Sequence, residues 1–339
     1  MELPVNRSEN FISEIQNNIL HEFEDILDCG VEYIIIDYPN HSNIGDSAIY
    51  LGELEILKII FKKNPKLVAE ISDICIPRVD SCSWKGPIFL HGGGNFGDLW
   101  PRHQQFREDV IRRFPGRKII QLPQSIHFKS QENLEKAAKV IDAHPDFVLM
   151  VRDRPSFDLA KTAFKCDVRL VPDMAFMMGP VQPTAPECDI LCLIRTDQES
   201  RLGSGQIAAS GAASRQVVDW PEETDRRSLF ERLPRVVRRQ IPPRFQGYRP
   251  ASVDAYEWLA RQRVARGFEI LSRGKVVLTD RLHAHILSLL LGKPHVVLDN
   301  SYGKISNFIA AWTQGQDFVQ AQDLETAMAA AAAMAEARA

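Results

Sequence analysis

A unit of apolar strand, polar loop and helix recurs along this chain, and few folds accommodate such a pattern. Apolar runs rich in β-branched residues at positions 33–37, 87–90, 118–122 and 147–151 each lead into a polar loop. Strands that are apolar throughout are typical of a parallel sheet whose two faces are covered by helices. The pattern therefore predicts an α/β protein.

The clearest of these units lies in the second half of the chain. It consists of a strand at residues 275–279, a helix at 281–291 that stops before Gly292, and a strand at 295–299. Glycine is the usual residue just past the end of a helix, so the unit has the signals of a strand–helix–strand crossover.

A segment rich in glycine and proline at residues 178–188 separates two series of such units. We therefore predict two Rossmann-like domains facing a cleft, at residues 1–180 and 181–325. An alanine-rich stretch at 326–339 is predicted to be a tail that is either a helix or frayed.

The composition indicates a globular protein and gives no sign of nucleic-acid binding. Hydrophobic residues make up 45% of the chain, charged residues 25%, and the formal net charge is −3. That balance argues against the strongly basic surface of a nucleic-acid binder. Apolar runs fall short of the roughly 20 residues that cross a bilayer, and the first residues lack a signal-peptide pattern. We expect a cytoplasmic protein.

Residues 198–250 are less regular and are interpreted as an insertion in the second domain. Residues 221–250 carry eight arginines against four acidic residues. A solvated surface segment is one interpretation. The other is a patch that binds a diphosphate or an anionic membrane, which would bring the protein into peripheral contact with the inner face of the cytoplasmic membrane.

The segment 91–97, His-Gly-Gly-Gly-Asn-Phe-Gly, is predicted to be a loop after a strand. It contains G-x-G-x-x-G, but the acidic residue that a nicotinamide site requires at the next strand end is missing, because that strand runs into Gln121 and Pro123. Consecutive glycines let backbone amides approach a ligand, so we assign Gly93 and Gly94 to the donor side. A tight turn alone would need the same glycines.

Polar residues at two predicted strand ends are candidates for the acceptor side and for proton transfer. In open α/β sheets, ligands bind outside the carboxyl ends of the strands. Asn43 and Asp46 lie between a strand and a helix, and Asn95 and Asp98 belong to the glycine-rich segment. Such side chains hold sugar hydroxyls or move protons. Asp46 is equally suited to capping the following helix.

The segment 279–285 joins a buried strand to a buried helix. Arg281 and His283 in it are placed to bind an anion beside a helix N-terminus. Because His283 and His285 are two residues apart on a helix, they point in different directions; we exclude a metal site and expect His285 to be structural. Lys304 lies near another predicted helix N-terminus, where a positive charge is unfavourable unless an anion binds beside it. A solvent-exposed surface lysine is the alternative interpretation.

Six short motifs, taken together, resemble those of the polysaccharide pyruvyl transferase family. They are N-I-G-D at 43–46, H-G-G-G-N-F-G-D at 91–98, R-D-R-P-S at 152–156, V-P-D at 171–173, T-D-R-L-H-A-H at 279–285 and Y-G-K at 302–304. Each motif alone is unspecific, whereas the ordered set is characteristic.

The resemblance implies a fold similar to the GT-B glycosyltransferases. It also implies phosphoenolpyruvate as the co-substrate without a further cofactor, and a product in which pyruvate bridges two hydroxyls of one hexose as a ketal. The acceptor would be an oligosaccharide or a lipid-linked saccharide. Asp46 matches the N-terminal acidic residue of the family.

The donor-binding residues of the family also have counterparts. Leu282 and His283 match its Leu-His pair, and Arg152 is the best match for its donor-binding arginine. Arg154 and Arg195 are rivals of Arg152 for that role.

Phosphoenolpyruvate carries a carboxylate and a phosphate, which Arg152, Arg281 and Lys304 are suited to bind. We expect His283 to act as an acid or phosphate ligand and Asp46 as a base. Two other functions stay open: a glycosyltransferase of similar fold that uses a sugar nucleotide, and a non-catalytic homologue that binds glycan.

Overall fold

The computed structural model describes residues 7–25, 31–71, 75–80, 85–195, 214–220, 253–299 and 303–338. The helices in these ranges are α1 (Arg7–His21), α2 (Ile44–Phe61), α3 (Cys75–Asp80), α4 (Pro101–Arg113), α5 (Gln131–Asp142), α6 (Arg154–Ala163), α7 (Val253–Ser272), α8 (Leu282–Leu290), α9 (Lys304–Phe308) and α10 (Leu324–Glu336). The strands are β1 (Ile34–Ile36), β2 (Leu67–Ala69), β3 (Ile88–Leu90), β4 (Gly93–Gly97), β5 (Ile119–His127), β6 (Phe147–Val151), β7 (Asp167–Leu170), β8 (Cys188–Leu193), β9 (Arg215–Val218), β10 (Gly274–Thr279), β11 (His295–Leu298) and β12 (Phe318–Ala321).

Two parallel sheets organise these elements, as the sequence predicts. The first has the order β2-β1-β3-β5-β6-β7, with β4 pairing with β5 beyond the end of β3. The second has the order β12-β11-β10-β8-β9. The central strands are buried on both faces, which explains their continuously apolar sequences. The α/β, GT-B-like fold class is confirmed. The domain boundary at residue 180 stays a prediction; it falls between the last strand of the first sheet and the first strand of the second.

Helix α2 connects the two halves. It begins after Asn43, whose side chain accepts a hydrogen bond from the Gly45 N–H at 3.0 Å, and it ends at Lys62 in a left-handed conformation. The helix packs against α7 of the second half, and a Cβ added at Gly267 would lie 2.5 Å from Ile44 Cγ2. The two helices therefore cross closely, and the start of α2 is fixed against the second domain.

The structure departs from the predicted elements in the glycine-rich segment. The glycine-rich segment, predicted to be a loop, forms strand β4, because its glycines allow the backbone to lie against β5 with positive φ at Gly93 and Gly97. The alanine-rich stretch, predicted to be a helix or a frayed tail, is the helix α10. Its buried residues Ala327, Ala331 and Ala335 belong to the core of the second sheet.

The predicted basic insertion lies largely outside the described residues, since only residues 214–220 of positions 198–250 are described. In the described part of the chain, helices are too short or too polar to cross a membrane.

Candidate active site

A cleft of about 430 Å³ opens between the two halves, at the carboxyl ends of strands from both sheets. Such a position is where ligands bind in open α/β folds. The lining residues from the first half are Asp37, Pro39, His41, Asn43, Asp46, His91, Gly92, Gly94, Asn95, Trp100, His103 and Arg152. Those from the second half are Arg195, Trp220, Arg281, Leu282, His283 and Lys304.

Arg152 and His283 meet across the cleft on a shared carboxylate, Asp173. Arg152 follows β6 and is 3% exposed; its Nη1 lies 2.5 Å from Asp173 Oδ2. His283 Nε2 lies 3.5 Å from the same oxygen and 3.5 Å from Arg152 Nη1. Burial alone would raise the pKa of Asp173, but the bond from His283 and the charge of Arg152 hold it well below its ordinary value. The carboxylate therefore holds an arginine from one domain and a histidine from the other in place.

Two further bonds hold Arg152 rigidly. Its Nε donates to Ser125 Oγ at 3.1 Å, and its carbonyl accepts a bond from Trp312 Nε1 of the second half at 2.9 Å. Its remaining nitrogen, Nη2, lies beside β4, 3.3 Å from where a Cβ on Gly94 would be. A side chain at position 94 would crowd the guanidinium, so this glycine gives Arg152 room at the cleft.

His283 is placed by α8, which begins one residue earlier, and it lies against α2. A Cβ added at Gly45 would overlap the imidazole and lie 2.5 Å from His283 Cγ. The glycine at position 45 therefore lets the histidine of one domain pack directly on the helix of the other.

Asp46 lies in the first turn of α2, next to Gly45. Asn43 is the N-cap of α2, so the capping role considered for Asp46 belongs to Asn43. His41 Nε2 lies 3.6 Å from Asp46 Oδ2. Burial would raise the pKa of Asp46, but the charges of His41, His283 and other nearby cations lower it. Asp46 is therefore an ionised carboxylate at the cleft.

Asn95 lines the cleft, and hydrogen bonds from neighbouring side chains fix its amide group. Its Oδ1 accepts bonds from Arg107 Nη2 at 2.8 Å and from Gln124 Nε2 at 2.9 Å. Its Nδ2 lies 3.1 Å from His103 Nδ1, which is also 3.1 Å from Asp37 Oδ1. The amide group of Asn95 is thus fixed in orientation, as a group that discriminates between sugar hydroxyls must be.

The remaining cations of the cleft come from the second half. Arg281 is the N-cap residue of α8, and its Nη2 lies 2.5 Å from Asp219 Oδ1. Arg195, whose backbone N–H donates to Asp280 Oδ1 at 2.9 Å, and Lys304 also line the cleft. Positive charge from three segments of the second domain thus faces Arg152 of the first.

Some predicted residues lie elsewhere. Asp98 is outside the cleft, where its carboxylate accepts hydrogen bonds from the backbone N–H groups of Lys129 and Ser130. Gly93 lies in β4 beside the lining residues but does not itself line the cleft. Of the two rivals of Arg152, Arg154 is exposed over the ring of Phe157, away from the cleft.

His285 is fully buried behind the cleft. Its Nδ1 lies 2.7 Å from His295 Nε2, and its Nε2 lies 3.0 Å from Thr313 Oγ1. Burial lowers the pKa of both histidines, so they are neutral. These contacts accord with the structural role expected for His285. The described residues contain no cluster of three or more side chains able to hold a metal ion.

Sequence reasoning missed a buried pair at the base of the cleft. His91 Nδ1 lies 2.8 Å from Glu53 Oε2, and both side chains are buried. The signal for it was a glutamate in the middle of α2, between Leu51-Gly52 and Leu54. It also missed Asp173, although the V-P-D motif contains it, and the aromatic lining residues Trp100 and Trp220.

Comparison with known families and proteins points in the same direction as this geometry. The family model described as "Polysaccharide pyruvyl transferase" matches residues 43–302. The chain is 34% identical to Pyruvyl transferase 1 of Schizosaccharomyces pombe, over 89% of this chain and 75% of that protein. It is 34% identical to EpsO of Bacillus subtilis, named as a candidate pyruvyl transferase, over 86% of this chain and 88% of that protein.

A solved structure shares the fold. The crystal structure of a functionally uncharacterised protein from Klebsiella pneumoniae matches with a TM-score of 0.53 at 19% identity, over 94% of this chain and 100% of that one. At that identity the likeness concerns the fold alone. The family match covers most of the chain and includes Asp46, Arg152 and His283. The chain therefore belongs to the polysaccharide pyruvyl transferase family.

Proposed function

We propose that this enzyme moves the enolpyruvyl group of phosphoenolpyruvate onto a hexose of an exopolysaccharide, or of its lipid-linked repeat unit, as a cyclic ketal, and releases phosphate. The observation that carries the proposal is the convergence of cationic groups from both halves of the molecule on one cleft that also holds the ionised Asp46. Pyruvyl transfer follows from the family; the donor and the ketal product are inferences from the chemistry of the cleft.

The donor is a small trianion at most, and its carboxylate and phosphate need separate cationic contacts. Arg152, which follows β6, lines the cleft from the first half, and Arg281 and Lys304 line it from the second half. The N-terminus of α8 adds a favourable dipole beside Arg281. Leu282 at the same turn offers an apolar surface to the methylene group.

Ketal formation requires proton transfer in both directions. The C3 methylene of the donor must be protonated to give an oxocarbenium-like centre at C2, and the attacking hydroxyls must lose their protons. In this proposal His283 is the acid or the phosphate ligand, and Asp46 is the base. The position of His283 between Asp173 and Gly45 supports a fixed role for its Nε2.

The acceptor occupies the side of the cleft formed by the first half. Asn43 and Asn95 line this side, together with Trp100, which is 51% exposed at its rim. Aromatic side chains with an apolar face and amides with fixed orientation are suited to a hexose. A lipid-linked acceptor would place the enzyme in the cytoplasm at the inner face of the membrane.

Calorimetric titration with phosphoenolpyruvate, and separately with a panel of nucleotide sugars, tests the donor. We expect phosphoenolpyruvate to bind the wild-type protein. Since charge-assisted hydrogen bonds contribute about 1.5–3 kcal/mol each, Arg152→Lys should weaken binding by about tenfold or more. Arg154→Lys, two residues away and outside the cleft, is the matched control and should bind as the wild type does.

Two results would contradict the proposal. One is binding of a nucleotide sugar in place of phosphoenolpyruvate, which would assign the cleft to a glycosyltransferase. The other is equal weakening by both arginine substitutions, since the effect would then not come from a contact that Arg152 makes with the donor.

A further inference from the structure

A buried histidine and glutamate at the base of the cleft have no part in the mechanism above. Glu53 lies on α2, two helical turns beyond Asp46 and on the same face. It is 0% exposed and His91, which follows β3, is 2% exposed. Burying an ionisable pair costs free energy that an apolar pair would not, so its presence at a ligand-binding cleft calls for a functional reason.

The hydrogen bonds fix the histidine ring in one orientation. Glu53 accepts a bond from the Gly92 N–H on Oε1 at 2.7 Å and faces His91 Nδ1 with Oε2 at 2.8 Å. The His91 carbonyl accepts bonds from the amide nitrogens of Gln121 and Gln124 at 2.9 Å and 3.0 Å. The contacts of Glu53 account for every polar side-chain atom of the pair except one.

The exception is His91 Nε2, which is buried and has no hydrogen-bond partner among the described residues. His91 and Gly92 both line the cleft. A buried nitrogen without a partner is costly, and it points to a ligand group that completes its hydrogen bonding. A histidine that holds a carboxylate on Nδ1 and keeps Nε2 for the substrate is an effective general base.

The surrounding charges strengthen that base. Burial alone would lower the pKa of His91, but the charge and hydrogen bond of Glu53, with the nearby carboxylates Asp46 and Asp37, raise it above its ordinary value. Because Asp46 and His91 lie at the same cleft within electrostatic reach of each other, one ligand can contact both.

We propose, resting on the function proposed above, that His91 is a second general base of the site, with Glu53 as its positioning residue. A cyclic ketal forms from two hydroxyls of one hexose, and each must lose a proton. Both hydroxyl oxygens bond to the same donor carbon, so two proton acceptors at one cleft suit this reaction, and Asp46 and His91 both line it.

The atoms balance without an oxidant or a further reactant. Protonation of C3 converts the methylene to a methyl group as the first hydroxyl oxygen bonds to C2 and loses its proton to one base. The bond between C2 and the phosphate oxygen then breaks, and phosphate leaves with the electron pair. The second hydroxyl oxygen bonds to C2 and gives its proton to the other base. One of the two hydroxyl protons replaces that used at C3, and the other leaves with the phosphate.

The variant His91→Asn tests this role because asparagine keeps a group at the Nδ1 position that can contact Glu53 and removes Nε2. With phosphoenolpyruvate and a panel of methyl hexopyranosides, we expect its kcat to fall by about a hundredfold or more, while KM for phosphoenolpyruvate stays within about threefold. His144→Asn is the matched control. His144 is also buried, but its ring bonds to the Phe114 carbonyl and the Asp146 N–H, away from the cleft. The kcat of the His144→Asn variant should therefore equal that of the wild type.

The variant Glu53→Gln tests the positioning role through the pH profile. Removing the carboxylate removes the charge that raises the pKa of His91, so the acid limb of the kcat profile should move to lower pH. A merely structural contact would lower thermal stability without moving that limb. An acid limb that stays in place would overturn the role assigned to Glu53.

The outcomes separate this inference from the function on which it rests. If the wild-type protein forms no ketal with any hexoside, the proposed function falls and this inference with it. If the wild type forms ketal and His91→Asn does so at a similar rate, only the second base is refuted. A His91→Asn variant that loses phosphoenolpyruvate binding and melts early would likewise overturn the catalytic role.

Discussion

Replacing Gly45 by alanine should disable catalysis while leaving the fold nearly intact. Gly45 lies in the first turn of α2, and the ring of His283 packs directly on its Cα. An alanine Cβ there would lie 2.5 Å from His283 Cγ and 2.8 Å from His283 Cβ. Ordinary van der Waals contact begins at 3.4 Å. The imidazole must therefore move by about an ångström, since the helix is fixed by its packing against α7.

The consequence for the site follows from the present distances. His283 Nε2 lies 3.5 Å from both Asp173 Oδ2 and Arg152 Nη1, so a shift of this size breaks the contact that joins the two domains. A misplacement of about 1 Å at a reacting group costs about a hundredfold in rate. The overlap should lower the free energy of unfolding by about 1–3 kcal/mol. The higher helix propensity of alanine should offset up to about 1 kcal/mol of that loss.

Steady-state kinetics of phosphate release and thermal unfolding together measure the effect. We expect kcat to fall by about a hundredfold with a small decrease in melting temperature. Gly116→Ala is the matched control, because a Cβ at that position would meet no atom within 4 Å. Unchanged kcat in Gly45→Ala, or a loss of activity fully explained by unfolding, would refute the reasoning.

Three further substitutions give distinct expectations. Gly52→Ala should lower the free energy of unfolding in urea by about 3 kcal/mol, because the new Cβ would overlap the backbone carbonyl of Met174, which cannot rotate away; equal stability would contradict the close approach. Asp46→Asn should lower kcat by about 10²–10⁴-fold. Because nearby charges lower the pKa of Asp46, its carboxylate is ionised at every pH above its ordinary pKa, and it should give no acid limb near neutral pH. A wild-type acid limb near neutral pH that disappears in Asp46→Asn would contradict this lowered pKa. Asp173→Asn should lower the free energy of unfolding by about 3–5 kcal/mol at neutral pH, since it leaves the buried Arg152 unpaired. The pKa of Asp173 is depressed in the folded state. The loss of unfolding free energy in Asp173→Asn should therefore be largest at pH values above the ordinary pKa of aspartate and should shrink as the pH falls below it. A loss that grows in acid would contradict the depressed pKa.

The sequence predicted the sheets and the segments that meet at the cleft better than it predicted the bonds within it. Apolar strands such as 147–151 carry their signal locally, because burial on both faces requires a continuous apolar run. The short edge strands β7 and β12 were not predicted, since they are only partly buried and mix polar with apolar residues. The edge strand β2 was not predicted because it is only three residues long.

The partners of each site residue depend on the tertiary fold and could not be read from spacing. Glu53 and His91 are separated by 38 positions, and Arg152 and His283 by 131. Asp98 belongs to the same motif as Asn95, yet the strand geometry of β4 carries it out of the cleft to bind the start of α5. The need for glycine at position 45 also appears only when both domains are in place.

The central claim is the transfer of the enolpyruvyl group, and following its carbon tests that claim most directly. The enzyme would be incubated with phosphoenolpyruvate labelled at the methylene carbon and a hexose acceptor, and the products followed by NMR. The account predicts that the label appears as the methyl group of a ketal, in equal amount to the inorganic phosphate released, and that this product is lost in Arg152→Lys and His283→Asn. Label that stays in phosphoenolpyruvate, while the same acceptor is extended from a nucleotide sugar, would contradict it.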